Sequence, residues 1–499
     1  MCEILFLEKL DLSHNRLKKI ERNQFRANKK LNYLDLSYND FKELGKSDFN
    51  DLVSVNTLNL SYNDLREFPR SIFGRVSQLK VLNLSGNKFK QIDSYMLRGV
   101  RFLKELYASH NLIEGLAKNS FTSTTRIKLI DLSHNLMTEV ETEIFKDMQW
   151  LDLIDLSYNH INKIKKGSFQ RMFKIAIKLN NNNISTIEYK AFQELGNITE
   201  LDLSNNHIEK LGANIFDECD CTIFKLNENQ IKNLSNVDIF ANLTGLRMLN
   251  LSRNFITEIN RKHFTTKKLY ELNTIDLSFN NITEISGNVF DKFLSIRHII
   301  LTNNLIEKIN YNAFGSLPTL LELDLSYNQI NEISNGGVSN LLSVKTIYLN
   351  DNKLKQMFPV SMAVNTLHLE NNRIQSIGSN MFPMINAVLV VHLDNNNISQ
   401  LDDNSFRQCL SLNTLTLKGN RLNEIPQRAL APLTSLQKLD LSFNQLKNLG
   451  MLLNCFLFCF VFSLLLLLLS QSTFLPDHLI LFIRFINTII TCFFSNHSL

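Results

Sequence analysis

The 499-residue chain sets 53 Lys and Arg against 48 Asp and Glu, a formal charge of +5, and 44% of it is hydrophobic. With so small an imbalance, basic and acidic residues interspersed, and no basic cluster interleaved with aromatics, the composition argues against a nucleic-acid partner. Length alone suggests about three domains, but an internal repeat overrides that expectation in favour of one long array over 1–450.

The first residues, MCEILFLEKLDLSHN, fall directly onto a repeat, without the basic, apolar and small-residue regions of a secretory leader. A solenoid needs a polar cap over its first core layer, and none precedes Leu10 and Leu12, so the expectation is a chain that begins inside a larger array. From there asparagine recurs at Asn15, Asn39, Asn63, Asn87, Asn111, Asn135 and Asn159, each 24 residues after the last. The series continues through Asn182, Asn206, Asn229, Asn254, Asn280, Asn304, Asn328, Asn352, Asn372, Asn396, Asn420 and Asn444, which predicts nineteen strands.

The unit at 151–172, LDLIDLSYNHINKIKKGSFQRM, shows the logic. Its first six residues form a short apolar run in which Ile154 and Leu156 share one face by the two-residue period, while Asp155 and Tyr158 face out. Asn159 follows where the backbone turns. A buried amide there must be paired, because an unpaired one costs about 1–3 kcal/mol, and the leftover backbone groups of neighbouring coils are its natural partners. Such asparagines predict a structural ladder. Behind it, a Phe position is filled by Phe25, Phe49, Phe73, Phe121, Phe145, Phe169, Phe192, Phe216, Phe240, Phe264, Phe290, Phe314, Phe382 and Phe406. One unit buries too little to stand alone, and stacking supplies the core.

These columns, LxxLxLxxNxIxxIxxxxFxxL, resemble the typical 24-residue subclass of extracellular leucine-rich repeats over about 4–449. The LDLSYN and LDLSHN units are most similar to arthropod chaoptin-like proteins, with Toll-type receptor ectodomains similar too. The resemblance implies an α/β fold: a curved horseshoe solenoid of about 19 repeats with a parallel β-sheet on its concave face. The Cys-rich caps that usually flank such arrays are not recognisable at either end.

Two intervals break register. Asn352 to Asn372 is 20 residues and its KQMFPVSMAVNTL skips the usual Phe; Asn254 to Asn280 is 26 and carries RKHFTTKK, expected to bulge on the convex side. Cys219, Cys221 and Cys409 sit at apolar columns and read as small buried hydrophobes. Sequons at Asn59, Asn83, Asn183, Asn197, Asn233, Asn242, Asn250, Asn281 and Asn397 allow glycosylation, although a chain this rich in Asn, Ser and Thr yields about as many by chance.

From Met451 the character changes: MLLNCFLFCFVFSLLLLLLS is long enough to cross a bilayer core of about 30 Å. The tail over 451–499 therefore reads either as holding a transmembrane helix at 451–470 or as a gene-model artefact, since the last repeat is unfinished where it starts.

Outward columns of the sheet are the candidate binding face. One is acidic in places, at Asp11, Asp35, Asp131, Asp155, Asp202, Asp276, Asp324 and Asp440. Another is aromatic or His, at His14, Tyr38, Tyr62, His110, His134, Tyr158, Phe279, Tyr327 and Phe443. Exposed Tyr supplies contact area at low entropic cost. Tyr38, Tyr62, Tyr107, His110, His134, Tyr158, Phe279, Tyr327, Asp131 and Asp155 are the candidate protein-binding residues. His110 with His134, and His368 with His392, occupy adjacent repeats, but two imidazoles without a third carboxylate or Cys make a poor zinc site, so they read as solvated histidines. No GxSxG, HExxH, P-loop or GxGxxG occurs in a productive context, so neither an enzyme, a cofactor nor a small-molecule substrate is expected. The expectation is a cell-surface or extracellular adhesion or receptor scaffold binding a protein ligand or another copy of itself, membrane-anchored where the tail is genuine. The alternatives are a Toll-like receptor ectodomain fragment and an intracellular repeat scaffold.

Overall fold

The computed structural model describes residues 5–448 except 147, 213–214, 217–218, 235–239, 241–242, 265–268 and 292. The hydrophobic tail, including 451–470, thus lies outside the described residues. Within them, nineteen short strands form one parallel sheet, from Lys9–Asp11 and Tyr33–Asp35 through Leu153–Asp155 to Lys438–Asp440. Every strand pairs with the corresponding residues of the next coil, as in Lys9↔Tyr33 and Leu129↔Leu153. Most are three residues long with only the middle side chain buried, as at Leu153, Ile154 and Asp155. That alternation is the two-residue period. It gives each strand one residue for the core and two for the outer face.

The α part of the expected class is small: among the described residues, helix is confined to one turn of α-helix at Gln427–Leu430 and a 3-10 turn at Arg261–Phe264. Turns and five two-stranded parallel ribbons, such as Lys163–Ile164 with Thr186–Ile187, do the work of the return path. Two longer strands, Leu195–Asp202 and Cys219–Lys225, pair across an irregularity between Leu195 and Ile198 that the repeat pattern does not announce.

The interior is a stack of rings behind the sheet. Phe145, Phe169 and Phe192 stack with centroids 6.0 and 5.7 Å apart, and Phe216 follows Phe192, and Phe314 follows Phe290, at 6.1 Å. All fourteen residues of the Phe column are buried. Offset stacking at this spacing adds to the area term for each ring. Cys219, Cys221 and Cys409 are free and buried, and burial pushes the Cys221 and Cys409 thiols up to about 12. They fill space.

The asparagines carry a directional bond set. Asn159 Nδ2 reaches the carbonyls of Leu132 in the preceding coil at 3.0 Å and of Leu156 and Ser157 in its own at 3.1 and 3.2 Å. Its Oδ1 accepts the Met137 N–H at 3.0 Å. Asn39, Asn63, Asn87, Asn111 and Asn135 repeat the pattern, as do Asn206, Asn328 and Asn444. Each amide thus binds its own coil and the one before it rather than the coils on both sides. Asn15, in the first described coil, is exposed and reaches only Leu12 and Ser13 of that coil.

The short coil keeps its strand in register, Thr346↔Thr366, with Phe358 and Val360 buried where the usual Phe is missing. In the long one, Phe264 stays on its column and stacks on Phe240 at 5.8 Å, while 265–268 lie outside the described residues. Irregular lengths are absorbed on the return path and the sheet is unaffected.

Replacing Asn159 with Leu strands the Met137 N–H, at a cost of about 1–3 kcal/mol, and leaves the Leu132 carbonyl only its bond from Asn135 Nδ2. We expect Asn159→Leu to lower unfolding stability by roughly 1–3 kcal/mol in denaturant titrations. Asn15→Leu should cost far less.

Candidate functional site

The outer face is built from two columns with different physical roles. The first is the last strand position, and its acids are partly committed to the backbone. Asp155 Oδ1 accepts the Ser157 N–H at 3.0 Å and its hydroxyl at 2.6 Å; Asp131 does the same with Ser133 at 3.0 and 2.7 Å. One carboxylate oxygen therefore closes the turn after the strand, and the other is left for the face. The Ser442 hydroxyl holds Asp440 below the usual carboxylate range, whereas burial raises the more enclosed Asp324. Tyr107 belongs to this column, and its hydroxyl donates to Glu105 Oε2 at 3.0 Å. Burial, then that bond, raises the phenol.

The second column is the residue just before each ladder asparagine, and its backbone is left-handed in all nineteen coils. The angles run from φ 50° at Asn205 to φ 69° at Gly419. The cause is the sharp turn that delivers the asparagine amide inward. Gly and Asn occupy several of these sites, as at Gly86, Asn181 and Asn303, and they tolerate the conformation. Tyr, His and Phe do not, and each accepts about 1–2 kcal/mol of backbone strain there.

Side-chain stacking offsets part of that strain. His14, Tyr38 and Tyr62 stack with centroids 4.2 and 4.4 Å apart, and Tyr62 lies against Gly86, where an added Cβ would meet its ring at 2.5 Å. His110, His134 and Tyr158 then resume the stack at 4.1 and 4.2 Å. Burial, and next the facing His110, lower the His134 imidazole pKa. Tyr38, Tyr62 and Tyr158 remain 43–48% exposed despite the stacking. The structure thus gathers five of the candidate binding residues into one aromatic edge, broken once by glycine.

The remaining candidates stand apart from it. Phe279 lies under the Arg253 guanidinium at 4.3 Å, and Tyr327 borders a depression of about 370 Å³ that Asp351, Glu370, Asp394 and Lys418 also line. Between the two halves Asn181 and Asn205 are hydrogen-bonded to each other, and further on Asn371 and Asn395 donate along the column at 2.9 Å. Of the sequons, Asn59 and Asn83 lie within strands and accept from Ser61 and Ser85, Asn397 is half-buried, and Asn197 is exposed. Asn242 lies outside the described residues.

One expectation fails. His368 and His392 are stacked at 4.9 Å, and Glu370 places a carboxylate oxygen 3.0 Å from His368 Nδ1, so this pair does have a third ligand-type group. The signal was a departure from Asp-x-Ser to His-x-Glu at one coil, invisible while only the histidine column was followed.

Comparison with known proteins fits this geometry. The family model described as leucine rich repeat matches residues 7–65, 56–113, 244–306, 294–354 and 386–446, more than half of the chain. The protein belongs to the leucine-rich repeat family. A second model, the BspA type leucine rich repeat region, matches 103–221. Leucine-rich repeat-containing G-protein coupled receptor 5 of Rattus norvegicus is 35% identical over 81 residues. That stretch is 16% of this chain and 8% of the receptor.

Among solved structures, a leucine-rich repeat protein of Leptospira interrogans aligns with TM-score 0.59 at 18% identity, covering 85% of this chain and all of that one. Toll in its complex with Spatzle, from Drosophila, aligns with 0.53 at 18%, covering 81% and 77%. A TDR receptor gives 0.53 at 20%, covering 88% and 77%. These likenesses concern the leucine-rich repeat fold. Among the described residues no helix is long and apolar enough to cross a membrane.

At an aromatic site in this column, relief of left-handed strain and loss of stacking, about 0.5–1.5 kcal/mol, nearly cancel. Tyr62→Asn is expected to leave the unfolding free energy within about 1 kcal/mol of the parent.

Proposed function

We propose that this chain is a non-enzymatic recognition scaffold working at the cell surface or outside the cell, of the typical 24-residue, chaoptin-like kind. It binds a protein, a second copy of itself included, through the concave sheet and the aromatic edge beside it. The observation that carries this reading is the stack of exposed Tyr and His at positions where Gly or Asn would be less strained. Folding gains little from aromatics there, whereas a binding surface gains rigid, amphipathic contact area with few rotatable bonds. Names of similar proteins that include receptors are in keeping with a recognition role. Tyr107, Asp131 and Asp155, adjacent on the sheet, supply polar contacts at its margin. The sequons, Asn197 foremost, are proposed glycan sites, and the tail is the proposed anchor.

The test displays the full chain on cells and scores their clustering, with sedimentation of the soluble array as a second readout. Tyr38→Ala, Tyr62→Ala and Tyr158→Ala combined should reduce self-association more than about tenfold, as loss of an aromatic hot spot does, with the unfolding midpoint nearly unchanged. Undiminished association of the folded triple variant would remove the aromatic edge from the binding surface.

A further inference from the structure

The sheet carries a second cluster of chemistry far along the array, in the one coil that is only 20 residues long. In the usual coil the outward acid is followed two residues later by a serine that caps it. Here those two positions are His368 and Glu370, and the equivalent strand position of the next coil is His392. A nitrogen from each imidazole and a carboxylate oxygen of Glu370 lie within 4.8 Å of one another, the one such group of three among the described residues. All three residues are half-buried.

We propose that His368, Glu370 and His392 form a binding site for a divalent transition-metal ion, zinc in the first instance. Four observations support it. The donor set of two imidazoles and one carboxylate suits Zn²⁺ and leaves a fourth position for water or for a side chain of a bound protein. Two nitrogen donors disfavour Ca²⁺ and Mg²⁺, which take oxygen ligands. Glu370 Oε2 is buried and has no hydrogen-bond partner, an expense that a cation would remove.

The fourth is the support behind His392. Thr416 Oγ1 donates to Asp394 Oδ2 at 2.8 Å, so its lone pairs face His392 Nδ1 at 3.0 Å. That arrangement puts the ring proton on Nδ1 and leaves the Nε2 lone pair free, as a metal-ligating histidine requires. Bonds of about 2.0–2.1 Å in tetrahedral geometry set ligand atoms about 3.4 Å apart. His368 Nδ1 and Glu370 Oε1, 3.0 Å apart, already stand near that spacing, and the widest donor separation, within 4.8 Å, needs a closure of at most about 1.4 Å by side-chain rotation. His110 and His134 stack just as closely but have no carboxylate in the corresponding place.

The test measures Zn²⁺ binding to the full chain by titration calorimetry, with Co²⁺ as the spectroscopic probe of a nitrogen and oxygen ligand field. The expected result is one saturable site per chain. Glu370→Gln and His392→Asn should each weaken it more than about tenfold, while His110→Asn with His134→Asn leaves it intact. Each variant's unfolding midpoint without metal controls for folding, and Zn²⁺ should raise the midpoint of the parent but not of Glu370→Gln. Absence of a saturable site in the parent, or affinity indifferent to Glu370→Gln, would overturn the assignment.

Discussion

The fold depends on one amide group used eighteen times to join coils, from Asn39 to Asn444. A parallel sheet of three-residue strands leaves one carbonyl and one N–H beyond each strand, such as those of Leu132 and Met137, without backbone partners, and asparagine side chains supply them from inside. Its bonds run to its own coil and to the preceding one, so each coil after the first is fastened to its predecessor. That direction sets the register independently of the side chains outside. It also dictates the left-handed residue just before the asparagine, since only a sharp reversal aims the amide inward.

From that constraint follows the division of labour across the sheet. The middle residue of each strand, the asparagine and the Phe stack are fixed by packing, as at Ile154, Asn159 and Phe169. The flanking strand residues and the left-handed residue are free to vary, and they are where chemistry accumulates. Acid followed by serine is itself partly architectural, because Asp131 and Asp155 each spend one oxygen on closing the turn. The aromatic stack from His14 to Tyr158 is the opposite case, for it costs backbone strain and protects nothing in the core. The His368, Glu370 and His392 cluster follows the same logic, with the capping serine exchanged for a ligand.

Most of the architecture was legible because its period is a physical requirement repeated along the chain. Asn spacing located all nineteen strands, and the Phe column located the interior rings. Three features were not. Helix was expected on the return path from the fold class, but fillers such as NKIKKGSFQRM hold turn and short ribbon conformations tied to neighbouring coils. The left-handed column could have been inferred from Gly86, Gly419 and the asparagines scattered among the aromatics. Glu370 was missed because the histidines were read down one column, while ligand sets on a solenoid assemble diagonally, between a residue two along one coil and the strand of the next. The candidate binding residues were legible only as columns, since identical LDLSYN units carry the aromatic stack in one half and isolated rings in the other.

The most direct measurement of the central claim is amide hydrogen exchange at the residues two beyond each ladder asparagine. The N–H groups of Phe41, Leu65, Phe89, Ile113, Met137 and Ile161 lie outside the strands, yet each donates to the next coil's asparagine at 3.0–3.1 Å. The account predicts protection equal to that of the strand amides and lost only with the unfolding of whole coils. Exchange as fast as in the exposed turns would contradict it, because the asparagines would then be filling space rather than holding the coils together.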